Sequence, residues 1–470
     1  MKFGLEQHII DKLIAVFEQH SKVDKALVFG SRAKGNYRND SDIDIAIKGQ
    51  DLNTDDIIAM SVAFEEKGIT HKIDLINYET IKEPDLKDHI NRVGIELYSR
   101  WKDVNLGDVV KFGNGKERPK IEGEIPVYGG NGILGYTNQS NYDGEVLIIG
   151  RVGAYCGSVY YENRPIWISD NALSAKPKNN YNAKFLYYFL KNLRLNNQAQ
   201  GSSHPLVTQT LLNSIEVALP DDIQEQTAIA NILTSLDDKI NLLHRQNKTL
   251  EGLAETLFRS YFPMTNEGNK YVELGHYVEC INGVSYKSSE LNPSKVGMVS
   301  LKSFDRNGGF SIDGFKEFTG KFKEKQEVVE GDLIVAHTDI TQDAEVIGNP
   351  ALVISNPNFE TMTISMDIVK VISKVDWISI EFLYFLMRTR EFKSHCEGCA
   401  NGSTVLHLNK QAIPTFEFPE PDKTKVADFT KQVREIVSKE FLNHRQLRNL
   451  VKTRDTLLPK LMSGEVRVNL

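Results

Sequence analysis

The chain has 470 residues, of which 40% are hydrophobic and 25% are charged, and its formal net charge at pH 7 is −7. This composition is that of a globular protein of about three domains at roughly 150 residues each, and the negative balance counts against a simple basic protein that coats DNA. The sequence has no run of about 18 apolar residues that could span a membrane, and its beginning lacks the apolar core of a signal peptide. Four cysteines do not make a disulfide framework, so we expect a cytoplasmic protein with no membrane partner.

Residues 1–100 alternate between helical and strand patterns. An amphipathic stripe from Leu5 to Phe17 predicts the first helix. Strands are predicted at Lys25–Phe29, Asp42–Ile47 and His71–Ile76, and further helices near Asp55–Lys67 and at about Asp85–Tyr98. The sequence therefore predicts a small domain in which helices and strands alternate.

Three aspartates in this domain form a candidate metal site. Asp42 and Asp44 lie two residues apart on a predicted strand, so both carboxylates face one side of it and the neighbouring isoleucines face the other. Asp74 lies on a strand that can pair alongside. Three carboxylates suit Mg²⁺, and two such ions can orient an attacking oxygen and stabilise a leaving pyrophosphate. Gly30 and Ser31 end the preceding strand, and backbone N–H groups at the start of the helix that follows can hold a triphosphate.

The residues G-S-x-A-x-G, S-D-x-D and the later Asp74 resemble the motifs of a minimal nucleotidyltransferase domain of the polymerase-beta-like superfamily. The resemblance implies Mg²⁺ and ATP as cofactors, and transfer of AMP or another nucleotide to a hydroxyl group, often of a partner protein. It implies that Asp42, Asp44 and Asp74 are catalytic metal ligands, with Asp74 as the base. It also implies four nucleotide-binding residues, which are Gly30, Ser31, Arg32 and Lys34. The alternative is a decayed domain that has kept only a docking role.

The rest of the chain contains a long internal repeat. Its first part begins with Leu106-Gly107, Val110 and Asn114-Gly115, which return as Leu274-Gly275, Val278 and Asn282-Gly283. Its last part contains Leu243-His244-Arg245-Gln246, which returns as Asn443-His444-Arg445-Gln446. Short alternating runs and many turn residues predict that 101–220 and 263–420 are β-rich domains, with one helical patch at Ala183–Leu193.

Each β-rich domain is followed by a long helical pattern. Over residues 221–262, apolar positions from Ile229 to Tyr261 recur with spacings of 4 and 3, which is typical of a coiled-coil seam. Asn247 occupies an a position of this seam, where a polar residue fixes register and partner. The second pattern, over 421–470, is the simplest antiparallel partner, and two helices of about 60 Å would form a rigid spacer. The alternative is a long amphipathic helix on a core.

Residues 101–470 contain, in this order, WKDVNLGDVVKFGNGK, IPVYGGNGILGY, IWISDNAL, QGSSHPLVTQTLLNSIEVALP, IQEQTAIANILTSLDDKI and TLLPKLMSGEVRV. Together with the repeat, these segments resemble the DNA specificity subunit of type I restriction–modification systems. The resemblance implies that two target-recognition domains each recognise one half of a split site in double-stranded DNA. It also implies that the helices hold these domains apart and dock methyltransferase subunits, and that a motor-nuclease subunit joins the complex. The specificity region itself would do no chemistry.

The residues that contact DNA would be polar or basic side chains on exposed loops of the two recognition domains. In the first domain the candidates are Arg118, Lys120, Asn131, Arg151, Ser202, Ser203 and His204. In the second domain the candidates are Lys287, Lys302, His337, Thr338, Asn401 and Ser403. The alternative for each is a solvated surface position or a structural turn.

Two further motifs are weak. Gly130-x-Gly132-x-x-Gly135 has the letters of a dinucleotide fingerprint but lacks the βαβ context, which favours glycine-rich turns on a sheet. Cys396-x-x-Cys399, preceded by His395, has no second pair, which favours reduced structural thiols over zinc or redox chemistry.

The sequence therefore predicts an α+β protein with five segments. They are a nucleotidyltransferase-like domain at 1–100, recognition domains at 101–220 and 263–420, and helical spacers at 221–262 and 421–470. The predicted function is that of a type I DNA specificity subunit with an appended nucleotidyltransferase. The alternative is a Mg²⁺-dependent nucleotidyltransferase of a defence or toxin–antitoxin kind, which transfers AMP to a partner protein and is targeted by the repeated region.

Overall fold

The computed structural model describes residues 2–49, 51–178, 181–199, 205–264, 270–306, 309–340, 343–402 and 405–468. The chain divides into two compact units. Unit 1 comprises Met1–Ser235 and Arg454–Leu470, and unit 2 comprises Leu236–Thr453. The predicted five segments are a finer division, which stays a prediction. Within the described ranges, no helix combines the length and the apolar character needed to cross a membrane.

Unit 1 begins with a four-stranded sheet covered by helices, with strand order β3-β2-β1-β4. Strands β2 and β3 are parallel, and β1 is antiparallel to both of its neighbours. Ile43, Ile45 and Ile47 are fully buried beneath the sheet with Leu13 and Phe17 of α1. The elements are α1 (Gln7–Gln19), β1 (Val23–Val28), α2 (Gly30–Lys34), β2 (Ile43–Gly49), α3 (Thr54–Glu66), β3 (Ile73–Asn77), α4 (Pro84–Val93) and β4 (Ile95–Ser99).

The helix predicted at Asp85–Tyr98 is wrong in its second half. Helix α4 ends at Val93, and Ile95–Ser99 forms strand β4, which pairs antiparallel with β1. Leu97 is buried while its neighbours Ile95 and Glu96 are exposed. Gly94 interrupts the helical pattern, and the edge of β1 offers backbone partners that a longer helix would leave unused.

The first β-rich domain also lies in unit 1. It contains a four-stranded sheet of order β10-β9-β12-β6, a three-stranded sheet of order β11-β7-β8 and the pair β5·β13. Its elements are β5 (Trp101–Asn105), α5 (Leu106–Val109), β6 (Val110–Asn114), β7 (Ile125–Gly129), β8 (Gly132–Thr137), β9 (Glu145–Gly150), β10 (Val159–Asn163), β11 (Trp167–Ile168), β12 (Ala172–Pro177), α6 (Ala183–Asn192), α7 (Gln209–Asn213) and β13 (Glu216–Pro220). The long helix α8 (Ile223–Tyr261) follows β13.

The second β-rich domain lies in unit 2. Its sheets have the orders β15-β22-β18-β20 and β17-β16-β21, beside the pair β14·β25 and a three-stranded sheet β19-β24-β23. Its elements are β14 (Tyr271–Glu273), β15 (Val278–Asn282), β16 (Val296–Val299), β17 (Phe315–Glu317), β18 (Leu333–Ala336), β19 (Thr338–Asp339), β20 (Pro350–Leu352), β21 (Thr361–Ile364), β22 (Ile368–Ser373), α9 (Ile380–Met387), α10 (Arg390–Gly398), β23 (Ala400–Asn401), β24 (Leu406–Leu408) and β25 (Glu417–Pro419). The second long helix, α11 (Lys423–Met462), follows.

The two β-rich domains share one topology, as the internal repeat predicts. Read from the opposite end, the sheet β15-β22-β18-β20 matches β10-β9-β12-β6, and β17-β16-β21 matches β11-β7-β8. The parallel pair β7·β11 has its counterpart in the parallel pair β16·β21. Gly115 and Gly283 also match, because a Cβ at either glycine would overlap a backbone carbonyl, of Ser169 or of Ser365. The repeated Asn-Gly pairs therefore mark the same close approach of two chain segments.

The long helices pack against each other within each unit. In unit 2, Phe258 of α8 shares a core with Phe429 of α11, whereas Leu243 shares a cluster with Leu447. The contacts run in opposite order along the two helices, so these parts of α8 and α11 are antiparallel. In unit 1, Leu233 of α8 is buried in one core with the end of α11. The predicted apolar seam of α8 is thus a buried face, which packs against α11 and, around Leu233 and Phe258, also into the cores of the β-rich domains.

The nucleotidyltransferase-like domain joins the first β-rich domain without a flexible linker. Only Arg100 separates β4 from β5, and its backbone N–H donates to the Asp24 carbonyl at 2.8 Å. Its guanidinium Nε donates to Glu225 Oε2 at 2.9 Å, and the two side chains are 15% and 4% exposed. Arg467, near the end of the chain, forms an ion pair with Asp24. These contacts fix the two domains of unit 1 to each other.

Candidate functional site

The predicted metal site lies at one end of the N-terminal sheet, where β1 passes into α2. Gly30 has a φ of +72°, and a Cβ there would overlap Asp44 Oδ2. The backbone N–H of Phe29 donates to the Asp44 carbonyl at 3.0 Å, which keeps β1 and β2 in register up to this end. A glycine is required here, because the Asp44 carboxylate lies directly against the start of α2.

The parallel pairing of β2 and β3 sets Asp44 beside Asp74. The two residues are register partners, which places their Cα atoms on neighbouring strands at the same height. Partial burial, and then the charges of Asp74 and Asp42, raise the pKa of Asp44 above its ordinary value. The three carboxylates therefore share one small region, and their mutual repulsion favours a bound cation.

A lysine neutralises part of this acidic region. Lys72 Nζ lies 2.6 Å from Asp42 Oδ2, and the two side chains are 71% and 39% exposed. The hydrogen bond to Asp42, and then the charge of Asp42, raise the pKa of Lys72. Within the described ranges, no three His, Cys, Asp or Glu side chains are arranged as metal ligands. Carboxylate oxygens are the donors that Mg²⁺ prefers, and an ion bound here would compete with Lys72 for the Asp42 carboxylate.

Arg32 has a structural role, which contradicts its predicted contact with phosphates. It is 2% exposed, and its guanidinium donates to the backbone carbonyls of Ser41 at 2.7 Å and of Phe3 at 3.1 Å. Its Nε also donates to the Asp42 carbonyl at 3.2 Å. Arg32 thus holds the loop that carries Asp42. Ser31 is half-buried beside Gly30, and Lys34 is exposed at the end of α2, so both stay candidate nucleotide contacts.

The structure brings Asn131 and Arg151 to one end of the first β-rich domain. Asn131 is exposed in the turn between β7 and β8. The preceding Gly130 packs against Gly150, the last residue of β9, and Arg151 comes next and is half-buried. The Arg151 carbonyl accepts a hydrogen bond from the Val207 N–H at 3.0 Å.

The other predicted DNA contacts of this domain are not shown to lie beside Asn131 and Arg151. Arg118 and Lys120 are exposed, and Arg118 Nη1 donates to the Leu134 carbonyl of β8 at 3.4 Å. Three candidates, Ser202, Ser203 and His204, lie outside the described residues.

A matching surface lies on the β19-β24-β23 sheet of the second domain. His337 follows β18 as Arg151 follows β9, and its carbonyl accepts from the Leu408 N–H at 2.8 Å. On this sheet His407 is the register partner of both Thr338 and Asn401. Asn401 and His407 are exposed, and His337 is half-buried. Burial, and then the charge of His407, lower the pKa of His337, so this imidazole is neutral near pH 7.

Thr338 is wrong as a predicted DNA contact. It is 5% exposed, and its Oγ1 lies 3.3 Å from His407 Nδ1, so it supports His407 from below. His407, which the sequence analysis did not single out, is the exposed member of this pair. Lys287 and Lys302 are exposed elsewhere, at the start of one single-turn helix and within another. Ser403 lies outside the described residues.

The two weak motifs have structural explanations. The three glycines Gly130, Gly132 and Gly135 belong to the β7–β8 hairpin, so no helix follows the first strand. Cys396 is a buried free thiol on α10, and burial raises its pKa to about 12. The Cys399 thiol lies 3.8 Å from His395 Nε2, which itself lies 2.8 Å from the Ala412 carbonyl. These thiols are part of the domain core.

Both parts of the chain are similar to known proteins. The family described as "Type I restriction modification DNA specificity domain" matches residues 98–252, and "Polymerase beta, Nucleotidyltransferase" matches residues 11–103. The type I restriction enzyme MjaVIII specificity subunit of Methanocaldococcus jannaschii is 22% identical over 416 residues, which cover 80% of this chain and 95% of that relative. The chain is therefore similar to type I specificity subunits over most of its length. Its N-terminal part is similar to nucleotidyltransferase domains.

Two further comparisons give the same similarity. The EcoprrI specificity subunit of Escherichia coli is 30% identical over 148 residues, a match that spans 30% of this chain and 37% of that relative. The crystal structure of the type I restriction–modification S subunit from M. genitalium has the same fold, with a TM-score of 0.55 and 17% identity. It covers 79% of this chain and 96% of the solved chain.

Proposed function

We propose that this chain selects the DNA site at which a cytoplasmic type I complex acts, and that each β-rich domain recognises one half of a bipartite sequence. The observation that carries the proposal is the shared topology of the two domains, which sets Arg151 and His337 at equivalent positions. Asn131 and Arg151 on one domain, and Asn401 and His407 on the other, can hydrogen-bond to base edges or phosphates. The partners are double-stranded DNA, methyltransferase subunits and a motor-nuclease subunit.

This proposal predicts a change in the pattern of adenine methylation in a host that expresses the whole system. Deleting this gene is expected to remove one bipartite methylated motif, which sequencing of modified bases measures. Arg151→Ala is expected to lower the preference for the recognised bases by about tenfold or more in one half of the motif only. Asn401→Ala should do the same in the other half only, because each base contact contributes about 1–3 kcal/mol. An unchanged map after deletion, or relaxation of both halves by one substitution, would contradict the proposal.

We also propose that the N-terminal domain is a Mg²⁺-dependent nucleotidyltransferase that uses ATP. Asp42, Asp44 and Asp74 would hold the metal, which would orient the acceptor oxygen and neutralise the leaving pyrophosphate. Gly30 lets the Asp44 carboxylate lie directly against the start of α2, where backbone N–H groups would hold the phosphates. The contacts around Arg100 lie at the Val23 end of β1 and this site lies at the Val28 end, which favours an acceptor outside the first recognition domain.

Replacing Lys72 by alanine is expected to tighten the binding of Mn²⁺, as a probe for Mg²⁺, by about tenfold in the absence of nucleotide. The ammonium of Lys72 competes with a divalent ion for Asp42 and also repels it. Titration of the full chain with Mn²⁺, followed by electron paramagnetic resonance of the free ion, measures this affinity. Lys82→Ala, which removes an exposed lysine of the same domain, is the control and should have no effect. Equal or weaker Mn²⁺ binding by Lys72→Ala would contradict the proposed competition.

A further inference from the structure

The two long helices both contain the segment His-Arg-Gln, with one leucine and one asparagine on either side of it in opposite order. Helix α8 has Leu243-His-Arg-Gln-Asn247, and α11 has Asn443-His-Arg-Gln-Leu447. The flanking leucine and asparagine have therefore changed places between two otherwise matching copies.

The exchanged residues meet in unit 2. Asn443 Nδ2 donates to Asn247 Oδ1 at 2.7 Å, and Asn443 is fully buried. Leu243 and Leu447 are 1% and 6% exposed and belong to one apolar cluster with Ile240. Antiparallel packing thus sets asparagine against asparagine at one level and leucine against leucine at the other.

Pairing between two copies of the same helix would break both matches. Two α8 helices arranged antiparallel about the same His-Arg-Gln centre would set Leu243 of each against Asn247 of the other. Two α11 helices would likewise set Asn443 against Leu447. Each mismatch buries an amide against an aliphatic side chain, and an amide that loses its hydrogen-bond partner keeps the full cost of its desolvation.

We propose that this leucine–asparagine exchange determines which helix α8 accepts. It selects α11 in one register, and it disfavours pairing of α8 with α8, or of α11 with α11, from a second copy. The polar pair lowers the stability of the interface somewhat, because Asn247 Nδ2 and Asn443 Oδ1 have no hydrogen-bond partner among the described residues. A polar residue at a buried helix–helix position typically has this effect, in which specificity is gained at a cost in stability. The proposal concerns helix pairing alone and does not depend on recognition of DNA or on nucleotidyl transfer.

The test exchanges the two residues on one helix and then on both, in the full chain. The single-helix variants Leu243→Asn/Asn247→Leu and Asn443→Leu/Leu447→Asn each create two mismatches within the chain. We expect each to lower the thermal unfolding midpoint by about 5 °C or more. The fourfold variant restores asparagine opposite asparagine and leucine opposite leucine, so its midpoint should return to within about 2 °C of the wild type.

The same variants test the exclusion of a second copy. In a single-helix variant, α8 and α11 of one chain form a pair with two mismatches. Two like helices from different copies also form a pair with two mismatches, so neither arrangement is favoured by the exchange. We therefore expect self-association, measured by sedimentation against concentration, to be about tenfold tighter than in the wild type and the fourfold variant. A control that exchanges nothing in the seam, Gln246→Leu/Gln446→Leu, adds two leucines at exposed positions and should not reproduce this.

Three results would overturn the proposal. The first is single-helix variants that are as stable as the wild type. The second is a fourfold variant that is as unstable as both exchanges combined. The third is self-association that does not differ between the wild type and the single-helix variants, or that the control variant reproduces.

Discussion

Replacing Asp44 by asparagine is expected to lower nucleotidyl transfer by the N-terminal domain by about a thousandfold or more. Asp44 is the central carboxylate of the site, because it lies against Gly30 on one side and is the register partner of Asp74 on the other. The asparagine amide has the same shape as the Asp44 carboxylate but no charge. A metal ion would therefore lose its charged ligand on β2, beside Asp74 on β3. Transfer of label from ATP with Mg²⁺ to proteins of a host extract measures the effect.

The matched control for this prediction is Asp40→Asn, which removes an exposed carboxylate from the loop just before Asp42. It should leave the transfer rate within about twofold of the wild type, because that side chain is not directed into the sheet. Circular dichroism of both variants confirms that the domain is folded. Transfer by Asp44→Asn at the wild-type rate would show that the carboxylates are not the site, and no transfer by the wild type would contradict the proposed activity.

The carboxylate arrangement could be predicted from the sequence because it follows from the geometry of strands. Asp42 and Asp44 are two residues apart and alternate with the apolar residues Ile43, Ile45 and Ile47. Because the isoleucine face of the strand is buried in the core, the two aspartates project from the opposite face. The role of Lys72 could not be predicted, since the ion pair with Asp42 depends on side-chain torsions that no local pattern encodes. For the same reason Arg32 was assigned to phosphates, although its guanidinium is directed towards backbone carbonyls behind the site.

The duplication was visible in repeated letters, and the structure extends it to strand order. Short strands such as β19 and β24 have two and three residues, which is too few for an alternating pattern to be detected. Their pairing buries Thr338 and exposes His407, which the sequence pattern alone does not distinguish. The seam of α8 was predictable because its period extends over several turns, whereas its pairing with Asn443 required both helices in three dimensions.

A charged cluster joins the second β-rich domain to α8 within unit 2. Arg388, just after α9, has a side chain that is 10% exposed and forms ion pairs with Glu251 at 2.9 Å and Glu255 at 2.7 Å. Burial, and then the charge of Glu251, raise the pKa of the nearby Glu440 to about 8. Burial also raises the pKa of Glu251. The positive charge of Arg388 offsets the cost of removing these partly buried carboxylates from water.

Replacing Arg388 by methionine is therefore expected to destabilise unit 2 by about 2–3 kcal/mol at pH 8, because it leaves partly buried carboxylates without their cation. Glu251 and Glu440 have folded-state pKa values above their ordinary value, so the folded state binds more protons than the unfolded state. The stability that they contribute is present below their unfolded pKa and is lost as the pH rises through the folded pKa, up to about 8. The deficit of Arg388→Met should thus be larger at pH 8 than at pH 5.

Hydrogen exchange in α9 at the two pH values measures this local stability in the full chain. The control is Arg434→Met, which breaks the ion pair with Glu381 at 3.0 Å. The Arg434 side chain is 62% exposed, so its loss should cost about 1 kcal/mol or less at either pH. Adding Glu251→Gln to Arg388→Met should recover part of the loss at pH 8 and little at pH 5. A deficit that is equal at both pH values would mean that lost packing around the Arg388 stem, rather than unpaired carboxylates, sets the stability of this contact.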